Sequence, residues 1–330
     1  MWQWPLKLLL LVLVSGCQPG PDTALDDYLS RLERVLETER PSIALSPPDR
    51  PSRHQFEPDD SLTVSLLAPL ALKPCGVLPL IAQHNAQLGR VAAPSQQLLY
   101  HLELGYRLYH CDPATLDKEG QALRERLLKS KIQQLEQGGA RLFLLSDELW
   151  FNLGAESAPW RFEGVTQVEQ SLTQLAETKA SLLHWDSLPL DDGQLEESLA
   201  VLHHAQLPRS LHRSMLNSIQ TLNQAAMMLA RAEELPCHSE AMNILPNILI
   251  SIYGERIQPL LSQVQNADHR LTPPLRQLLS PWPSHPYFDF YLGEEPGQLR
   301  HEFYLAIQQH TLAWQTLLNR CDRSPADLRG

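Results

Sequence analysis

Apolar side chains recur at helical spacing along most of this chain, and this periodicity limits the possible folds more than any other feature. In residues 23–39, Leu25 and Leu29 would share one helix face while charged side chains fill the other. The pattern continues from residue 61 onward. Only residues 287–291 resemble a strand, and one strand cannot form a sheet. The sequence predicts an all-α, multi-helix bundle of roughly nine or ten helices, with long amphipathic helices and little or no sheet.

Changes in composition along the chain predict five segments. Residues 1–16 form a signal peptide, and residues 17–39 carry an acylated cysteine and an amphipathic helix. A proline-rich connector spans residues 40–60, a helical domain spans 61–321, and a polar tail spans 322–330. Proline favours extended backbone, so we expect the connector to run as extended chain, partly of the polyproline type.

The first seventeen residues have the layout of an export signal. One basic side chain, Lys7, precedes the apolar run Leu8–Val14, which is too short to span a bilayer. The run ends in Ser15-Gly16-Cys17, and no A-x-A-like site for an ordinary secretory signal follows it. The pattern favours cleavage between Gly16 and Cys17. Acylation of the Cys17 thiol with palmitate-type chains would then anchor the mature chain in a membrane.

Net charge narrows the range of partners. The chain carries 27 basic and 38 acidic side chains, a formal charge of −11. An acidic surface argues against nucleic acid as a partner and against general adhesion to anionic lipid head groups. The sequence therefore predicts attachment through the lipid on Cys17 and no nucleic-acid binding.

Four cysteines besides the one at the lipidation position predict two disulfides. They are Cys75, Cys111, Cys237 and Cys321, and export would place them in an oxidising compartment. Three pairings are possible. If the predicted helices 76–88 and 96–110 form a hairpin, Cys75 and Cys111 lie at the same end of it, which favours their bond. Cys237 and Cys321 then pair by elimination, and the other pairings remain open.

The motifs of common enzymes and metal sites are missing from the sequence. His301-Glu302 starts like a zinc-protease helix, but Leu305 stands where the second histidine is required. Neither a C-x-x-C motif nor a G-x-S-x-G elbow occurs, and there is no glycine-rich phosphate loop. The histidines near residues 203–212 are predicted to lie on the surface. We therefore predict no catalytic residue, no metal site and no cofactor.

Polar side chains crowd the end of the predicted helix 76–88. They are Gln83, His84, Asn85 and Arg90, with Gln96 across the turn. In one interpretation they satisfy backbone groups at a tight helical corner. In the other they form a polar pocket or a surface for a partner.

The segment Cys75-Gly-Val-Leu-Pro-Leu-Ile-Ala, followed by Asn85, Leu88-Gly89 and Pro94-Ser95-Gln96, resembles a family of uncharacterised proteobacterial lipoproteins, known as a domain of unknown function. The resemblance includes the early helix and covers nearly the whole mature chain. It implies no activity. In such lipoproteins a residue other than Asp after the acylated cysteine, here Gln18, implies export to the outer membrane. We therefore expect anchoring in its inner leaflet, facing the periplasm.

Three functions are compatible with this sequence. The favoured hypothesis is a non-enzymatic scaffold or binding protein of the cell envelope, with an envelope protein or the cell wall as partner. The first alternative is a carrier of an apolar or small ligand between helices, which requires a preformed cavity. The second is a peptidoglycan-acting hydrolase with dispersed catalytic residues, which requires buried, clustered acid–base groups.

Overall fold

The computed structural model describes residues 20–43, 45–56, 68–86, 92–156, 158, 160–181 and 192–323. The predicted signal peptide, its cleavage site, Cys17 and Arg90 lie outside the described residues. Parts of the connector and most of the polar tail do so as well. Within the described ranges the protein is all-α, with no strand, as the sequence predicts.

Twelve α-helices make up the described fold, together with short 3₁₀ segments and one π-helical segment. The α-helices are α1 Pro21–Leu36, α2 Leu78–Asn85, α3 Pro94–His110, α4 Lys118–Leu144, α5 Asp147–Asn152, α6 Val165–Ser181, α7 Asp192–Ala205, α8 Leu207–Ala232, α9 Glu240–Asn247, α10 Gln258–Leu279, α11 Pro286–Leu292 and α12 Leu299–Arg320. The 3₁₀ segments are Arg53–Phe56, Ala68–Cys75 and Pro113–Thr115, and the π-helical segment is Ile248–Ile257.

Side-chain caps fix several helix starts. Asp117, Ser146 and Ser239 each accept a hydrogen bond from a backbone N–H in the first turn of α4, α5 and α9. Such caps satisfy donors that have no partner inside the helix.

One local prediction from the sequence is wrong. Residues 287–291 form α11 and not a strand, because Pro286 opens a helix and the imidazole of His285 accepts the N–H of Tyr287. The pair Pro273-Pro274 lies inside α10, where flanking turns are held by buried leucines. Pro246 lies in the last turn of α9, and Pro259 is the second residue of α10. They lie at either side of the π-helical segment in one continuous helical run.

Helix α4 continues through two adjacent glycines. It passes Gly138-Gly139 and ends at Leu144. The residues beyond the glycines, Ala140 and Phe143 among them, are buried. Their burial offsets the roughly 1 kcal/mol that each glycine costs in a helix interior.

Helices α1, α8 and α12 run parallel to one another. At one end Asn217 of α8 donates to Asp22 near the start of α1, at 2.7 Å. Further along, Arg231 of α8 donates to Thr38 just after α1, at 3.1 Å. A disulfide joins the residues that follow α8 and α12. The N-terminal ends of the three helices therefore point in the same direction.

Two apolar clusters form the core. The larger one contains the inward faces of α1, α6, α8, α10 and α12. The smaller one surrounds the Cys75–Cys111 bond and contains Leu72, Leu104 and Leu123. Helix α3 joins the two, since Leu98 and Leu102 belong to the larger cluster and Leu104 to the smaller.

The described part of the 40–60 connector lies along the helical body. Gln224 of α8 donates to the carbonyl of Pro41 at 2.9 Å, and Arg53 forms an ion pair with Asp147 at 2.5 Å. The Phe56 ring packs edge-on against a phenylalanine of α11, with 5.2 Å between ring centroids. These contacts fix this segment against α5, α8 and α11. Among the helices that the structure describes, none is long and apolar enough to cross a membrane.

Candidate functional site

Both predicted disulfides are present with the predicted pairing. Cys75 is bonded to Cys111, with 5.1 Å between Cα atoms, and Cys237 to Cys321, with 5.5 Å. The hairpin argument was correct: α2 and α3 return the chain so that both members of the first pair lie at one end. The second bond ties the chain after α8 to the end of α12.

The predicted polar patch is spread over the outside of the α2–α3 hairpin. Gln83 and Asn85 are exposed on α2, and His84 stacks on the ring of Tyr100 in α3, with 3.8 Å between centroids and 6° between planes. Gln96 is exposed and contacts Glu196 of α7 at 3.4 Å. The structure thus brings His84 to α3, while Gln96 points to another helix.

A buried charged network at the start of α12 was missed by the sequence analysis. Asp268 of α10 has no exposed surface, and its carboxylate accepts three hydrogen bonds. The donors are Thr272 at 2.7 Å, the Nε of Arg300 at 2.8 Å and the hydroxyl of Tyr304 at 2.8 Å. A carboxylate removed from water requires such partners, because an unpaired buried charge is strongly destabilising.

The network continues to the surface through Glu294. Its carboxylate accepts from Arg300 at 2.6 Å and pairs with Arg276 at 2.5 Å. The two arginines and the two acids, Asp268 and Glu294, have no net charge together. Beside them lies a cleft of about 250 Å³. Its lining residues are Glu294, Arg300, His301, Tyr304, Leu305 and Gln308.

The electrostatics of this network suit binding more than proton transfer. Burial acts to lower the pKa of Arg300, but the hydrogen bond and charge of Asp268 outweigh it, so the pKa is raised. Burial and the neighbouring Asp268 raise the pKa of Tyr304, which keeps its hydroxyl protonated as a donor. Both side chains are held in one orientation by a buried acid. The cleft therefore presents fixed hydrogen-bonding groups to a polar ligand or partner.

A second buried polar cluster joins α1 to α12. The hydroxyl of Tyr28 lies 2.7 Å from Nε2 of His310 and accepts the indole N–H of Trp314 at 3.0 Å. The ring of Tyr253, in the π-helical segment, is 4.5 Å from the His310 ring. Burial lowers the pKa of His310 to about 3, and within the described part of the chain its Nδ1 atom has no hydrogen-bond partner. The neutral imidazole thus serves to fix α1 on the body.

The prediction of surface histidines at 203–212 is partly wrong. His203 and His204 are exposed, but His212 is 4% exposed and its Nδ1 contacts the carbonyl oxygen of Gly154 at 3.2 Å. Burial lowers the pKa of His212 to about 4. This histidine lies on the inward face of α8, in step with leucines of the core. Within the described ranges, no group of three or more His, Cys, Asp or Glu side chains is arranged to hold a metal ion.

A signal for the missed network does exist in the sequence. Asp268 falls between Val264 and Leu271 on the apolar face of α10, where an acid must find a buried partner. Arg300 and Tyr304 are four residues apart and therefore share a face of α12. Nothing in the sequence pairs the two helices, which are brought together by the fold.

The fold and the cleft define a disulfide-bonded, all-α protein with a buried charged network beneath a surface cleft. A family model matches residues 25–325, and the chain belongs to that family, DUF3080, whose members are described as proteins of unknown function. The predicted membership of an uncharacterised family is thus confirmed; the match starts after Cys17 and does not cover the signal. No curated protein and no solved structure matches the chain.

Proposed function

We propose that this protein is a lipid-anchored protein of the bacterial cell envelope that acts as a non-enzymatic binding or scaffold protein. Cys17 would carry the acyl chains in the inner leaflet of the outer membrane, and the body would face the periplasm. One observation carries the proposal: Cys17 stands only three residues before Gly20, and α1 begins at the next residue and is packed into the core.

The short tether would hold the body at the membrane surface. Three residues span at most about 11 Å, so the start of α1 would lie close to the lipid head groups. Because α1, α8 and α12 are parallel, their N-terminal ends would face the membrane. The cleft at the start of α12 would then lie in the membrane-proximal half of the body.

The two disulfides support an oxidising compartment such as the periplasm. In the cytosol such bonds are rare, since reducing systems keep thiols free. Their positions indicate a structural role, because each one joins the ends of packed helices.

Binding is favoured over catalysis by how the buried acid is used. Asp268 already accepts three hydrogen bonds, and Glu294 bridges two arginines. A general base needs a free lone pair within reach of a substrate proton, and these carboxylates are engaged. The cleft instead offers fixed polar groups that suit an envelope protein or a cell-wall polymer.

The anchor is tested by metabolic labelling with a palmitate analogue. We expect label on the wild-type chain and none on Cys17→Ala. Cys237→Ala is the matched control, since it also removes one thiol and should retain the label. Labelled wild-type protein should sediment with outer membranes and should not be released by high salt. Equal labelling of Cys17→Ala would contradict the proposed anchor.

The partner surface is tested by photo-crosslinking in intact cells. A crosslinking amino acid at Gln308, which lines the cleft, should give discrete adducts. The same substitution at Gln315 is the control, because it is exposed on the same helix about 10 Å further from the membrane end. Adducts of equal yield at both positions, or at neither, would contradict a partner site at the cleft.

The volume of the cleft favours a second candidate, a carrier of a small polar ligand. A space of about 250 Å³ approaches the size of small-molecule sites, and charged and polar side chains dominate its lining. Native mass spectrometry of protein purified without denaturant should then show a bound small molecule, and Arg300→Gln should release it.

A further inference from the structure

Three arginines gather near the N-terminal end of α8 with few acids to balance them. Arg50 of the connector and Arg209 of α8 both approach Glu156, and Arg213 follows Arg209 one helical turn later on α8. Arg209 is 9% exposed. The Nε atoms of all three side chains are buried and have no hydrogen-bond acceptor among the described residues. Buried donors of this kind normally have a partner, so three together indicate a site whose natural acceptor is an anion.

Glu156 is the carboxylate that approaches this arginine cluster. Its Oε2 lies 3.9 Å from Nη1 of Arg50 and 3.9 Å from Nη2 of Arg209, beyond hydrogen-bonding distance. Its side chain is 60% exposed. Arg213 forms no hydrogen bond or ion pair with the residues that the structure describes. Arg50 and Arg209 thus share one loosely held negative charge, and Arg213 adds a further positive charge one turn away on the same helix.

Aromatic rings hold two of the guanidinium groups in place. The Cζ atom of Arg209 lies 4.1 Å from the centroid of the Phe151 ring, and that of Arg50 lies 5.0 Å from the Trp150 ring. Stacking of this kind fixes the plane of the donors before any ligand arrives. A preorganised guanidinium loses less entropy when it binds an anion.

The loop beneath the cluster is also fixed. Arg50 donates to the carbonyl of Trp150 and Arg209 to that of Glu156. The hydroxyl of Tyr287 donates to the carbonyl of Leu153 at 2.8 Å, and burial raises the pKa of this tyrosine to about 12. The tyrosine is therefore neutral at physiological pH and adds no negative charge. Glu156 at 3.9 Å balances the charge of Arg50 and Arg209 only in part.

We propose that Arg209 and Arg213, with Arg50, bind a phosphate-type anion at the position now approached by the Glu156 carboxylate. Guanidinium groups match the geometry of phosphate oxygens and form charge-assisted hydrogen bonds with them. The overall charge of −11 opposes general adhesion to anionic surfaces, but a local cluster of three arginines suffices to bind one anion.

The position of the cluster points to a lipid head group as one source of the anion. Arg213 lies one turn before Asn217, and Asn217 is hydrogen-bonded to Asp22 near the start of α1. Asn217 therefore marks the level on α8 at which α1 starts. Measured along α8 from Asn217 toward the proposed membrane, Arg213 and Arg209 lie about 6 and 12 Å away. A lipid head group as the bound anion rests on the proposed anchor. Binding of free phosphate does not depend on that anchor.

The site is tested by titrating the purified full chain with two probes. They are inorganic phosphate and short-chain dihexanoylphosphatidylglycerol, with dihexanoylglycerol as the probe that lacks phosphate. Arg213→Gln should weaken binding of both phosphate probes roughly tenfold or more, as expected for loss of a charge-assisted contact. Arg126→Gln is the matched control, because Arg126 is exposed on α4 and the charge change is the same.

A second variant is expected to strengthen binding of the phosphate probes. Glu156→Gln removes the competing carboxylate and should strengthen binding several-fold, a change that a merely structural role of Glu156 would not produce. Tighter binding of the lipid than of phosphate identifies the head group as the source, and equal binding identifies free phosphate. Both results support the site. No saturable binding of either probe, or equal effects of Arg213→Gln and Arg126→Gln, would overturn it. Failure of the anchor itself would show separately, as loss of label from Cys17.

Discussion

Acidification is expected to destabilise this protein through its buried histidines. His310 has no exposed surface, and burial lowers its pKa to about 3, whereas an unfolded histidine titrates near 6.5. Between these values the unfolded chain binds a proton that the folded chain does not. The free energy of unfolding therefore falls as the pH drops through 6.5 and continues to fall until the pH approaches 3.

The size of the effect follows from the distance in pH below the unfolded pKa. At pH 5, His310 lowers the free energy of unfolding by about 2 kcal/mol, at about 1.4 kcal/mol per pH unit. His212, whose pKa is about 4, contributes a similar amount. Together they remove about 4 kcal/mol, a large part of the 5–15 kcal/mol by which domains are typically stable.

Urea unfolding at pH 7, 6 and 5, followed by circular dichroism, measures this loss. In His310→Gln the amide can still hydrogen-bond the Tyr28 hydroxyl but does not titrate. We expect this variant to lose about 2 kcal/mol less than the wild type between pH 7 and 5. His204→Gln is the control, because His204 is exposed and should leave the pH dependence unchanged. The reasoning is refuted if His310→Gln and the wild type lose the same stability with equal m-values.

Three further predictions concern single features of the fold. Replacing Cys237 and Cys321 together by serine should lower the free energy of unfolding by about 4 kcal/mol, because the bond closes a loop of 84 residues; an unchanged urea midpoint would contradict this. Asp268→Asn should cost about 1 to 3 kcal/mol, since a neutral amide replaces the buried carboxylate that accepts from Arg300 while Glu294 still pairs with that arginine, and calorimetry should show a lower Tm. Gly154→Ala should lower the free energy of unfolding by about 1 to 3 kcal/mol, because φ is +129° and a Cβ would lie 2.7 Å from a tyrosine hydroxyl. In the same urea assay Gly164→Ala should cost less, because its Cβ would meet open space.

The helical class and the disulfide pairing were within reach of the sequence. Apolar residues at helical spacing define one buried face per helix, and this pattern depends only on neighbouring residues. The pairing of Cys75 with Cys111 followed from the return of a short helical hairpin. Both inferences use local geometry and need no knowledge of how distant helices pack.

Predictions from neighbouring residues failed where burial in the core outweighs the local preference for a secondary structure. Residues 287–291 are nearly all buried in α11, so they carry no periodicity that separates a helix from a strand. Proline inside a helix usually breaks it, yet α10 continues through residues 273 and 274, because these prolines lie away from its buried face and the leucines around them pack into the core. His212 was expected on the surface, because nothing in the neighbouring sequence indicates that it is buried.

The sequence by itself determined the all-α class, the helix faces and the hairpin that carries the first disulfide, because those properties arise from contacts between near neighbours. It also determines the Cys17 signal on which the proposed anchor depends. Only the tertiary structure decided that Asp268 meets Arg300 and Tyr304, that His310 meets Tyr28, and that Arg50 joins the arginines of α8. Each of these sites joins residues far apart in the chain, and a buried charge or an orphan donor becomes visible only when packing removes it from water.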